Sequence, residues 1–311
     1  MENEYMKRLL RTLTILLAAL ATIFAMAGCS SSRAGDTQID KEKVITVIAS
    51  TNVWGSVAKQ LGGRYVDVTS ILNNTGTDAH DYEPSTNDIS KFQHAQVAIL
   101  NGAGYDEWAA KAAGQSKAIV IDAAAAGGKK TGDNPHVWFS AAVRNKTADE
   151  ITAAYIKLMP SEKAEFEKLN KDWHTEEDEL EAQLQTVAQA DGKMPYGAIE
   201  SVGDYLAQDM GMTDVTPKGY KNATSNESEP TASDIKSFTE ALKKGDMKML
   251  IANSQEKSQL SDQLTDAADS GNVPVVDITE QMPSQYKTLN EWLKAIAEQI
   301  QATQKGPAAK K

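Results

Sequence analysis

Two of the four histidines in this chain sit in contexts that suit metal chemistry. One is in Ala79-His80-Asp81-Tyr82-Glu83-Pro84 and the other in Asn134-Pro135-His136-Val137-Trp138. Both lie beside proline and aromatic residues, in short segments that follow apparent strands or loops. Neutral imidazole is the commonest protein ligand for a transition metal. Acidic residues recur at strand ends much later in the chain, so one site would be assembled from distant segments. His94 falls late in a polar helix, and His174 sits beside Glu176 and Glu177 on a charged face. Neither is assigned to the site. No H-E-x-x-H helix and no serine elbow is present, so the sequence does not read as an enzyme.

The elements that would position these groups alternate. Val44–Ala49, Tyr65–Ile71, Gln96–Leu100 and Ala118–Ile121 read as strands, with helices at Val53–Leu61 and Ser85–Ala95 between them. The second half repeats the rhythm. Strands are expected at Tyr196–Ile199, Met247–Ile251 and Val273–Ile278, and helices at Val202–Met210, Ala232–Lys243, Ser258–Ala268 and Leu289–Ile300. Such alternation predicts an α/β fold with parallel sheets covered by helices on both faces. Between the halves, Phe166, Leu169, Trp173, Leu180, Leu184 and Val187 recur at helical spacing over 161–189. A helix of that length, roughly 40 Å at 1.5 Å per residue, can run along two lobes.

The N-terminus reads as an export signal. Lys7, Arg8 and Arg11 precede an uncharged apolar stretch from Leu13 to Ala27, which ends at Met26-Ala27-Gly28-Cys29. That stretch is short for a spanning helix, and the small residues before Cys29 form a lipobox. Cys29 is the only cysteine, so no intramolecular disulfide is possible. The expected organisation is a lipoprotein signal peptide (1–28), a polar tether (29–43), a first lobe (44–160), a connecting helix (161–190), a second lobe (191–303) and a tail (304–311). A multiply acylated Cys29 would hold the domain at the extracytoplasmic face of the cell membrane. The formal charge is −11, and the leader carries three bases against two acids, which leaves the remainder near −12. That balance argues against nucleic acid as a partner and favours cations.

The chain resembles the metal-binding substrate-binding lipoproteins of ABC transporters, the zinc and manganese group (cluster A-I) that includes adhesin-like lipoproteins. The resemblance runs from about Val44 to Ile300. It rests on the two histidine motifs, on Asn101-Gly102-Ala103-Gly104-Tyr105-Asp106-Glu107-Trp108, and on Ile199-Glu200-Ser201, Tyr205-Leu206-Ala207, Gly211-Met212 and Glu229-Pro230. It implies two α/β lobes joined by one long helix, with the metal in the cleft between them. Carried over residue by residue, the ligands fall on His80, His136 and Glu200. The fourth is an acid near the last strand, either Glu280 or Asp277 of Val276-Asp277-Ile278-Thr279-Glu280. The family's usual aspartate-serine-leucine pattern is missing there.

Two neutral histidines and two carboxylates would neutralise a divalent ion. Glu200 stands where zinc-specialised members carry histidine, and the loop 123–130 holds no histidine, so the cargo leans to Mn²⁺ with Zn²⁺ next. The resemblance also implies a membrane permease as partner and a monomeric chain. A surface adhesin or scaffold lipoprotein without a transport role, and a metal-chelate binding protein, remain as alternatives.

Overall fold

The computed structural model describes residues 44–77, 79, 82–189, 194–226 and 228–304. Cys29, His80, the leader and tether, and the last seven residues lie outside the described residues.

The chain first forms β1 (Ile45–Thr51), α1 (Asn52–Gly62), β2 (Val66–Leu72), α2 (Thr86–His94), β3 (Val97–Leu100), α3 (Glu107–Ala113), β4 (Ile119–Asp122) and α4 (Ala123–Ala126). These strands make a four-stranded parallel sheet in the order β2-β1-β3-β4. The second half forms β5 (Pro195–Ala198), α7 (Asp204–Asp209), β6 (Thr213–Asp214), α8 (Lys218–Thr224), α9 (Ala232–Lys244), β7 (Met249–Ala252), α10 (Gln259–Ser270), β8 (Val275–Asp277) and α11 (Leu289–Gln304). Its sheet is again parallel, in the order β6-β5-β7-β8. β1, β3 and β7 are buried nearly throughout, because helices cover both faces. Two lobes with parallel sheets, joined by a long helix, are thus the architecture that the alternating pattern predicts.

Between the lobes run α5 (Ala141–Leu158) and α6 (Lys163–Gln189). Phe166, Trp173, Leu180, Leu184 and Val187 form the buried stripe of α6, and Leu169 is half-buried. Phe166 meets Tyr65 and Tyr155 in the first lobe, with ring centres 5.6 and 5.5 Å apart. Near its other end Gln185 donates to the carbonyl of Asp209 in α7. The helix therefore spans both lobes. α5 has no counterpart among the sequence-based expectations. Its buried face includes Arg144, Thr147 and Thr152, which interrupt the apolar period that would reveal it.

Arg144 is wholly buried and reaches from α5 to α6. Its guanidinium pairs with Glu177, itself wholly buried, and with Glu181 at 2.8 Å, and it donates to the carbonyl of Trp138 at 3.1 Å. The contact ties the segment that carries His136 to the long helix. Removing one partner of such a group strands a buried charge, at a cost of about 3–5 kcal/mol. Arg144→Met is expected to lower the melting temperature by roughly 10 °C. Adding Glu177→Gln should recover part of that loss, whereas additive losses in the double variant would show that the burial of charge is not what matters.

Candidate metal centre

The carboxyl ends of the two sheets face one another. In each sheet the chain leaves its first strand to one side and returns on the other, so β1–β3 and β5–β7 bracket the points where open α/β sheets place their ligands. Hydrogen bonds cross between the lobes there. Tyr105 donates to the Glu280 carboxylate at 2.8 Å, the Asn134 amide to the Ser201 carbonyl at 2.7 Å, and Tyr205 to the Asn134 carbonyl at 3.1 Å. Asn52 pairs with both backbone groups of Met282.

His136 follows the turn at Asn134-Pro135 and is 5% exposed. The Asn134 side-chain oxygen accepts from the His136 backbone N–H at 3.0 Å and lies 2.8 Å from Nδ1. That oxygen fixes the proton on Nδ1 and leaves the lone pair on Nε2, as the carboxylates and carbonyls that hold metal-bound histidines do. Nε2 is buried, has no hydrogen-bond partner among the described residues, and lies 3.8 Å from a Glu280 carboxylate oxygen. Tyr105 and Trp138 wall the imidazole edge-to-face, with ring centres 6.2 and 5.4 Å away. Tyr105 is set by the turn after β3. Gly102, Ala103 and Gly104 all have positive φ, and a Cβ on Gly102 would stand 2.0 Å from an Asp122 carboxylate oxygen. Only glycine fits at residue 102. The buried Asp106 carboxylate accepts from the backbone N–H of Asn101 at 2.6 Å and of Gly102 at 2.9 Å, which closes the turn.

Glu280 is 2% exposed and follows β8. Besides Tyr105, it accepts from the Asn253 amide at 3.2 Å, and its backbone N–H is held by the Gln255 side chain. Asp277, the alternative, is exposed, and its carboxylate accepts from the Ser254 backbone N–H at 2.8 Å. It stays outside the carboxylate group at the sheet ends. Glu200 follows β5 at the start of a short 3₁₀ turn, yet its side chain makes no cap hydrogen bond there. Its carboxylate comes together with those of Glu280 and Glu256, with one oxygen of each within 4.8 Å of the others. Hard divalent cations hold oxygens at about 2.0–2.6 Å, so ligand oxygens lie at most about 5 Å apart.

Glu256 is the residue that sequence reasoning missed. It lies in the polar run Asn253-Ser254-Gln255-Glu256-Lys257-Ser258, where only its place just after a buried strand could have marked it. His94 donates to a purely local partner, the Ser90 carbonyl at 2.7 Å, and His174 lies between Asn145 and Asp149. His80 is outside the described residues.

Residues 47–303 match the model of the ZnuA family, described as zinc-uptake complex component A, periplasmic. The chain belongs to this family. It is a metal-binding substrate-binding protein of the ABC-transporter kind, a class of transport proteins and not of enzymes. The manganese-binding lipoprotein MntA of Bacillus subtilis is 32% identical over 170 residues, covering 51% of this chain and 54% of that protein, so the match spans about half its length. The high-affinity zinc uptake system protein ZnuA of the same organism is 25% identical over 270 residues, covering 80% and 82%. Among solved structures, the periplasmic zinc-binding protein TroA of Treponema pallidum superposes with a TM-score of 0.70 at 15% identity, over 84% of this chain and 99% of that one. The laminin-binding adhesin Lmb of Streptococcus agalactiae does so with 0.69 at 21%, over 83% and 99%. These two likenesses concern the fold.

Burial pushes the Glu200 carboxyl up to about 9, helped by repulsion from Glu256 and then Glu280, while the Asn253 amide opposes the shift. A carboxyl raised from 4.5 to about 9 in the folded state stabilises fully below its unfolded value. That stabilisation is lost as the pH climbs through the folded value. The melting temperature of the chelator-stripped protein is therefore expected to fall between about pH 5 and pH 9. Glu200→Gln should flatten the decline, and an unchanged slope in that variant would place the strain elsewhere.

Proposed function

We propose that this protein captures a divalent transition metal outside the cytoplasm and delivers it to a membrane permease, with Mn²⁺ favoured over Zn²⁺ as cargo. The observation that carries the reading is the His136 Nε2 atom, buried, without a hydrogen-bond partner among the described residues and 3.8 Å from the Glu280 carboxylate. A buried polar atom without a partner costs about 1–3 kcal/mol and calls for a ligand. In this reading His136, Glu200 and Glu280 bind the metal, and His80 completes the set by family resemblance. Asp277 is set aside in favour of Glu280, because its carboxylate is exposed and stands outside the group that Glu200 and Glu280 share.

Mn²⁺ is favoured by the oxygen content of the set. Carboxylate and water suit manganese, whereas imidazole-rich and thiolate sites suit zinc. Relatives are named for both metals, manganese in MntA and zinc in ZnuA. Proteins of this kind work with a permease, and several relatives are named lipoproteins. Among the described residues no helix is long and apolar enough to cross a membrane. Attachment through a lipidated Cys29 is the anchor that the lipobox supports. The likeness to the laminin-binding adhesin concerns the fold alone, so adhesion is not carried further.

Titrating the chelator-stripped domain, residues 33–311, with Mn²⁺ or Zn²⁺ is expected to raise its melting temperature at one equivalent. Ligand at a hundredfold excess over Kd stabilises by about 2.7 kcal/mol. His136→Ala and His80→Ala should each remove most of the rise. No shift with any divalent ion would sink the site. For the anchor, Cys29→Ala is expected to move the protein from the membrane fraction to the soluble extracytoplasmic fraction. Retention on the membrane would count against lipidation.

A further inference from the structure

We propose that Glu256 is a third carboxylate ligand of this site and sets its preference for a hard, oxygen-seeking cation over zinc. The inference rests on the metal-site reading above and names one more residue of it. The cluster of Glu200, Glu256 and Glu280 would be an ordinary acidic patch were it not for His136. That imidazole is 5% exposed, and its Nε2, without a hydrogen-bond partner among the described residues, is 3.8 Å from Glu280, a member of the cluster. Three carboxyl groups thus gather after the strand ends, and a buried imidazole nitrogen borders one of them, Glu280.

Glu256 is placed there by a built turn. Just after β7, Asn253 is buried, and its side-chain oxygen accepts from the Gln255 backbone N–H at 3.0 Å. The Gln255 side chain then accepts from the backbone N–H groups of both Glu280 and Gln281, at 2.7 and 2.9 Å. Ser254 is tied to Asp277. Residues 253–255 are therefore latched to the segment that carries Glu280, and Glu256 follows directly.

The burial differs along the cluster in a useful way. Glu280 is buried, Glu200 half-buried and Glu256 exposed. A third carboxylate on a divalent ion with two histidines leaves a net negative charge, which would be costly in the interior. At the solvent-facing edge the cost is small, and the carboxylate can meet an incoming hydrated cation first. Zinc is satisfied by about four ligands in tetrahedral array, whereas manganese takes about six, largely oxygen. An extra oxygen at the mouth therefore adds more to Mn²⁺ binding than to Zn²⁺ binding.

The test measures Mn²⁺ and Zn²⁺ affinities of the chelator-stripped protein, unaltered and as Glu256→Gln, Glu256→Asp and His136→Ala, at low and high salt. Glu256→Gln is expected to weaken Mn²⁺ at least about tenfold and Zn²⁺ less than about threefold. X-ray absorption at the manganese edge should show one oxygen ligand replaced by water. Equal weakening of both metals, vanishing at high salt, would mean that Glu256 acts only through its charge, and overturns the proposal. Unchanged affinities in Glu256→Gln with binding lost in His136→Ala overturn it too, while leaving the metal site intact. Absence of binding by the unaltered protein overturns both readings together.

Discussion

Unbalanced negative charge beside a buried imidazole is the constraint on which the rest of the molecule depends. Carboxyl groups on three separate segments are brought to within 4.8 Å, and a buried histidine nitrogen lies 3.8 Å from one of them, Glu280. Left alone, such an arrangement relaxes: side chains rotate to water, or protons are taken up. Here burial raises the Glu200 carboxyl to about 9, so it keeps a proton near neutrality, and other contacts hold His136 and Glu280 in place. Asn134 holds the ring of His136, Tyr105 and Asn253 hold Glu280, and Gln255 holds the backbone beneath. Stability is given up at one point and recovered over the surrounding shell.

The symmetry of the scaffold explains why the cost is bearable. Each lobe alone offers one ordinary crevice at the carboxyl ends of its strands. Facing the two crevices together lets polar groups from one lobe satisfy those of the other, as Tyr105 and Asn134 do. The first lobe supplies the aromatic walls and the imidazole, the second supplies the acids. Neither half holds the full set of partners.

The alternation of strand and helix made the two-lobed architecture legible, because parallel strands covered on both faces carry unbroken apolar runs. The long helix was legible for the same reason, through Phe166, Trp173, Leu180 and their neighbours. α5 was not, since Arg144, Thr147 and Thr152 break its stripe. His136 was conspicuous in Pro135-His136-Val137-Trp138, and Glu200 stood at a strand end. Sequence leaned to Glu280 but kept Asp277 as the alternative fourth ligand, because both lie near the end of the same strand within three residues. What separates them is their partners, Tyr105 and Asn253 for one and a backbone N–H for the other, and those contacts span up to 175 positions. Glu256 was hidden because a polar loop after a strand looks alike whether or not it points at anything.

α11 gives the fold an order in time. The last helix does not close the second lobe alone. It packs along α6 and against α1, its first backbone N–H bonds to Ser56 at 3.0 Å, and Trp292 rests on Phe139 at 5.5 Å between ring centres. The opening third of the chain is therefore finished by its final residues. A nascent chain shorter than about residue 289 has an incomplete first lobe with bare apolar surface, however long it has been out of the ribosome. The first lobe completes its packing only once residues 289–304 are in place.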